Sequence, residues 1–375
     1  MSIIKRTITK SESSNKTNIN SRESGSSIQE PDNKNVKDNI THYVEKRVKA
    51  IEHSKQAVFP QLNLSRQVLS IYGTSTLFYY KNLYFTSVKT PTKTIRRNIL
   101  LLGDRHEYVD KKSCTFLLDW IVGMCNAHPT KKLTLLVEHP DKKKINLTFK
   151  RKHVRSDIEW AKKYYHSQGQ LFGIMWKLRK KINFKNFTSI GIDTRTHESG
   201  GLLMPVYTYY EKDLVLLKLS QRNLLLFFIQ LCRNPLKTWK HKNANDETEK
   251  FRIRTLKYFL NVSTIIKDAL KKSIFKNSTT LFYRMLYKSL KNRLQKDIII
   301  TDADDAISSE TVIMDAYCLA VLFDINGDNN VIINAGNFHT DTYNLFLTQC
   351  GKKTEFFRLT NDDCVAFDRP FDFLA

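Results

Sequence analysis

Apolar residues come in short blocks along this chain, and the blocks alternate between two periods. "NILLL" (98–102), "KLTLLVE" (132–138), "FTSIGID" (187–193), "NVIINA" (330–335) and "TEFFRL" (354–359) are apolar runs of strand length. Among them, "SCTFLLDWIVGMCNA" (113–127), "SSETVIMDAYCLAVLF" (308–323) and "DTYNLFLTQC" (341–350) carry apolar residues at helical spacing, the second with Ser308 or Ser309 as N-cap. Strands alternating with helices predict an α/β fold: a central mixed or parallel sheet flanked by helices. Upstream, "YVEKRVKAIEHSKQAVF", within residues 43–70, predicts a helix. "STLFYYKNLYFTS" predicts two aromatic strands in a hairpin about Lys81-Asn82.

Two stretches break this rhythm. Residues 1–42 are rich in Ser, Asn, Lys and Thr, bury too little to offset their ordering entropy, and are expected to form a disordered tail. Residues 206–300 read as several helices without a strand pattern, a basic helical insertion. The α/β domain is then expected in two parts, 43–205 and 301–375, with a basic helical stretch from about 156 to 181 inside the first.

Charge adds a rival reading. The net charge of +24 is segregated: residues 142–181 hold 13 Lys/Arg against 2 Asp/Glu, and residues 206–300 hold 20 against 7. The last 75 residues reverse the sign, with 13 acids against 4 bases. Bases mixed with aromatics, as in "KHVRSDIEWAKKYY" (152–165) and "KLRKK" (177–181), suit single-stranded nucleic acid or an anionic surface. A charge run is more often a solvated face, and no compact nucleic-acid module is present, so nucleic acid is the less favoured partner. The six cysteines (114, 125, 232, 318, 350, 364) form no CxxC pair, which predicts reduced thiols in an intracellular protein. The longest purely apolar block, "LLLFFI" (224–229), is too short for a transmembrane segment, and the first residues lack the apolar core of a signal peptide, so a soluble protein is expected.

The strand ends carry the chemistry. In sheets of this kind ligands bind beyond the carboxyl ends of the strands. The first strand of the series ends in Gly103-Asp104-Arg105-His106, the next in Glu138-His139, the third in Asp193-Thr194-Arg195, and "NVIINA" in Gly336-Asn337-Phe338-His339. Glycine after a strand would let the backbone turn, so that the histidine three residues on points back over the sheet edge. His106, Glu138 and His339 would supply three metal ligands with open positions left for water or substrate. Arg195 and Asp193 would act on a developing oxyanion and on the substrate. Asp104, His139 and Glu107 are expected as neighbours of the site, and His197 as an outlying candidate. Asp315, a carboxylate inside an apolar helix, either caps a buried polar network or reaches the site.

These motifs, in this order, resemble the TraB/TIKI/ChaN/erythromycin-esterase superfamily, marked by two Gly-x-x-His motifs at opposite ends of an α/β domain with a Glu and an Arg between them. The phrase "SSETVIMDAYCLAVLF…NVIINAGNFHTDTY" is also similar to uncharacterised members in large nucleocytoplasmic DNA viruses, which would place the chain in a host cytoplasm or virion. The resemblance covers roughly residues 75–200 and 300–360. It implies metal or catalytic roles for His106, Glu138 and His339 and a substrate role for Arg195, in a fold associated with metal-dependent, sometimes peptidase, activity. The chain departs from the pattern at His139-Pro140, at Thr194 between Asp193 and Arg195, and at "IMDAY" (313–317).

The favoured reading is a metal-dependent hydrolase, peptidase-like, using Mn, Co or Zn on a peptide or acidic substrate. The competing readings are a non-enzymatic basic protein that binds nucleic acid or anionic surfaces, and a decayed enzyme with a structural role.

Overall fold

A computed structural model describes residues 33–53, 61–86, 92–105, 114–140, 178–193, 229, 262–273, 277–293, 303–325, 327–349, 351–361 and 364–375. In chain order the elements are α1 (Asn33–His53), β1 (Val68–Tyr72), β2 (Thr76–Thr86), β3 (Thr94–Asp104), β4 (Thr115–Phe116), α2 (Leu117–Ala127), β5 (Leu133–Pro140) and β6 (Phe187–Asp193). There follow α3 (262–272), α4 (Ser278–Arg293), α5 (Ala303–Asp324), β7 (Asn330–Gly336), α6 (Asn337–Gln349), β8 (Phe356–Leu359) and β9 (Cys364–Phe371).

The architecture is the expected α/β one. Six strands form a mixed sheet in the order β6-β5-β7-β3-β2-β8, with β6, β5, β7 and β3 parallel, β2 antiparallel to β3, and β8 antiparallel to β2. The central strands are apolar on both faces because both faces are covered, and Ile99 to Leu102 of β3 are fully buried. Pleat alternation sends Ile99, Leu101, Leu136 and Ile333 into one core with α5 and α6, and Leu100, Leu102, Leu135 and Ile332 into another with α2. The second half of α5 is apolar on every side apart from Asp315 because it is enclosed: residues 313–323 are all buried.

Several expectations are corrected. "STLFYYKNLYFTS" is one strand, β2, paired along its length with β3; the register shifts between Tyr80 and Leu83, and Asn82 takes a positive φ of 50°. Asn82 thus makes a bulge where a hairpin turn was expected, and its N–H is held by Asn98 Oδ1 at 2.9 Å. α1 starts at Asn33, inside the stretch expected to be a tail, and α5 starts at Ala303, so Ser308 and Ser309 lie within a helix instead of capping one. The basic stretch 156–177 and most of the 206–300 insertion lie outside the described residues; within that insertion 262–272 and Ser278–Arg293 are helical, as the pattern predicts.

β1 and β9 were not legible as strands, and with β4 they form a second sheet of order β4-β1-β9. The closing segment 364–375 seals the α2-side core with aromatic rings: Phe371 lies 5.7 Å from Trp120 and Phe373 5.9 Å from Tyr79. The cysteines also depart from expectation. Cys114 and Cys364, separated by 250 residues, are joined in a disulfide with a Cα–Cα distance of 6.3 Å. Among the described residues, no helix is long and apolar enough to cross a membrane.

Candidate acid–base site

Glu138 is the residue where β5 leaves the core. Leu136 faces α5 and α6, so the alternation puts Glu138 on the same face, above the end of β7. There Glu138 Oε2 accepts the Gly336 N–H at 2.7 Å, the amide at which β7 passes into α6. A carboxylate at a helix N-terminus meets unpaired N–H groups and the positive end of the helix dipole. That compensates a side chain only 9% exposed.

His339 stands in the first turn of α6. Its Nδ1 meets Asp315 Oδ1 at 2.7 Å, and its Nε2 lies 3.6 Å from Glu138 Oε1. Asp315 reaches it from the middle of α5 and is 2% exposed, so the carboxylate that looked costly inside an apolar helix is compensated by the imidazole. Its second oxygen, Oδ2, is buried without a hydrogen-bond partner among the described residues. Below this row the Cys318 thiol and the Tyr343 hydroxyl face each other, both buried, and burial pushes both well above their usual titration range. They are therefore neutral, and the ionisable row above them rests on a floor without charge.

Both glycines of the Gly-x-x-His motifs are strand residues, and neither takes a positive φ. β3 runs on through Gly103 to Asp104, whereas β7 passes directly into α6 after Gly336, a turn made without a positive φ. Gly103 is required by close approach: a Cβ there would sit 2.4 Å from Asn337 Oδ1 and 2.5 Å from Thr340 Oγ1. Asn337 is a clamp, its Nδ2 donating to Ser75 Oγ at 2.8 Å, so that the start of α6 is tied to the start of β2. Ser75 was not singled out in the sequence, because a serine before a strand carries no signal of its own.

The opposite face of the same sheet edge is polar too. By alternation with Leu102 and Ile332, Asp104 and Asn334 fall on the α2 side; they are 4% and 2% exposed. Among the described residues, Asn334 Oδ1 has no hydrogen-bond partner. Asp193 closes β6 opposite Pro140, where β5 shifts register, and His139 is half-buried in that shift. His106, Glu107, Arg195 and His197 lie outside the described residues.

The metal expectation is corrected here. Among the described residues, no three His, Cys, Asp or Glu side chains are grouped so as to hold a metal ion. Asp315 takes one nitrogen of His339, and a backbone amide takes one oxygen of Glu138. Among the described residues, His339 and Glu138 bring together one imidazole and one carboxylate, fewer than the three protein ligands of an open metal centre. The divalent cofactor, and with it the metal-dependent hydrolase, loses its basis in this geometry.

The chain matches no protein-family model, no curated protein and no solved structure.

Proposed function

We propose that the carboxyl edge of the six-stranded sheet is a proton-transfer site built from side chains alone, in which Asp315 orients His339 and the pair His339–Glu138 meets a polar ligand. The row Asp315–His339–Glu138 carries this reading. At 3.6 Å the His339 Nε2 and Glu138 Oε1 atoms are too far apart for a good hydrogen bond with each other. A single ligand oxygen or nitrogen could sit about 2.8 Å from both. An acid and a base that converge on one atom are the elementary equipment of general acid–base catalysis. The Asp315 contact fixes which imidazole nitrogen carries the proton inward and leaves Nε2 to exchange one with the ligand.

The order of the strand-end motifs supports kinship with the TraB/TIKI/ChaN/erythromycin-esterase superfamily at the level of the fold. The metal chemistry of that group is not carried over with it.

Nitrogen-15 NMR of histidine side chains in the full chain tests the proposal, with a panel of polar metabolites screened for binding. Ligands that bind should shift the His339 Nε2 resonance, and Glu138→Gln should abolish the shift while Asp315→Asn changes the tautomer. An Nε2 resonance unmoved by any ligand that binds, or the same response in Glu138→Gln, would sink the acid–base reading.

A further inference from the structure

The cysteine pair was the least expected feature of the fold. Cys114 immediately precedes β4, and Cys364 opens β9. Those strands flank β1 on its two sides, so the disulfide staples the outer strands of the small sheet across its middle. The same two chain segments meet a second time: Arg105, following β3, donates through Nη1 to Asn361 O at 3.2 Å and through Nη2 to Asn361 Oδ1 at 3.3 Å. The staple ties the C-terminal closing segment to the start of β4, and the fork ties Asn361, after β8, to the end of β3, the strand that runs beside the candidate site.

The other described cysteines are built differently. Cys125 and Cys318 are free and buried, and burial pushes the Cys125 thiol up to about 12. A thiol held protonated is a poor nucleophile, so both are inert toward exchange. Of the bonded pair, Cys114 is 3% exposed while Cys364 is half-buried at the surface. Cys364 is therefore the half of the bridge nearer to solvent.

We propose that Cys114–Cys364 is a redox-operated lock on the β4-β1-β9 sheet. Closing it removes two protons and two electrons from the thiols and passes them to a small-molecule or protein disulfide, which leaves as two thiols. Opening reverses this: a thiolate attacks Cys364 Sγ, Cys114 departs as thiolate and takes a proton, and a second thiol resolves the mixed disulfide. With the lock open, what still holds β9 among the described residues is its ladder with β1, its aromatic contacts and polar anchors such as His128–Asp372 at 3.0 Å and Arg358–Asp368.

The test uses the full chain equilibrated with oxidised or reduced glutathione, peptide mapping without reductant, and amide hydrogen exchange. Oxidised protein should yield a Cys114–Cys364 linked peptide. Reduction should speed exchange in 68–72 and 364–371 by about tenfold or more, leaving β3, β5 and β7 unchanged. Cys114→Ser and Cys364→Ser should each reproduce the reduced pattern under oxidising conditions. Free thiols at both positions in oxidised glutathione, or equal exchange in the two redox states, would overturn the proposal, and the wild-type comparison decides it even if a variant fails to fold.

Discussion

Asp315 and His339 are held together at 2.7 Å, the first from the middle of α5 and the second from the first turn of α6, with both side chains almost wholly out of solvent. Two helices that pack on the same face of the sheet are thus joined by a buried polar contact directly above its edge. Removing one partner of such a pair leaves the other buried and uncompensated. Asp315→Ala should therefore destabilise the protein by about 3–5 kcal/mol, read as a fall in urea midpoint. Asp315→Leu, which also leaves His339 stranded, should do no better. The double replacement Asp315→Leu/His339→Leu should recover much of the loss, and a double variant as weak as the singles would show that the contact is not the cause.

The close fit at Gly103 gives a sharper test of packing. Gly103→Ala places a methyl against Asn337 Oδ1 and Thr340 Oγ1 at distances that real side chains do not show. Either α6 moves away from β3 or the clamp from Asn337 to Ser75 breaks. Overpacking of this kind costs about 1–3 kcal/mol. Adding Thr340→Ala should return part of that stability, because it removes one of the two clashing atoms. A Gly103→Ala protein that melts with the wild type would mean that α6 does not sit where the structure has it.

The alternation of strands and helices was legible because continuous apolar runs such as Ile99–Leu102 occur where a strand is covered on both faces. What escaped were elements whose pattern is set by a neighbour. β9 reads as mixed and polar because only part of it is buried, and β2 reads as a hairpin because Asn82, a turn former, sits in a bulge. In the site, Glu138 and His339 were picked from strand-end position alone, and they do meet. The metal inferred from them failed for want of a third ligand, since no third His, Cys, Asp or Glu among the described residues joins the pair, and one-dimensional spacing cannot show that. The disulfide was missed for the same reason, since a separation of 250 residues leaves no spacing to read.

A second carboxylate should govern stability between pH 4 and pH 6. Asp119 lies fully buried against Arg47 Nη1 at 3.1 Å and accepts the Tyr43 hydroxyl at 3.0 Å, which docks α1 on α2. Burial outweighs those partners and raises its pKa from 3.8 to about 6. A carboxyl whose folded pKa lies above its unfolded value binds more protons when folded. Its contribution is fully present below the unfolded pKa and is lost as the pH rises through about 6. A shift of this size corresponds to a loss on the order of 3 kcal/mol across the window. Urea midpoints of wild type and Asp119→Asn measured from pH 4 to pH 7 should differ in slope, with the downward wild-type component absent from the variant. Parallel profiles would place the folded pKa of Asp119 near its ordinary value.

Asn334 offers the opposite sign of effect. It sits at the carboxyl end of the central strand β7, in register with Leu102 and Val137, with a buried amide oxygen that no group among the described residues satisfies. A buried acceptor left unpaired costs about 1–3 kcal/mol, and replacing it by an apolar group of similar shape removes that cost. Asn334→Leu should raise the melting temperature for this reason. A fold retains such a group when its polarity serves something other than stability, and here it stands on the same sheet edge as Glu138 and beside Asp104. The same variant should therefore weaken any polar ligand that reaches the α2 side of the edge while leaving the His339 resonances where they were. If Asn334→Leu lowers the melting temperature instead, the amide is satisfied in solution, and the α2 side of the edge is a structural polar core with no part in binding.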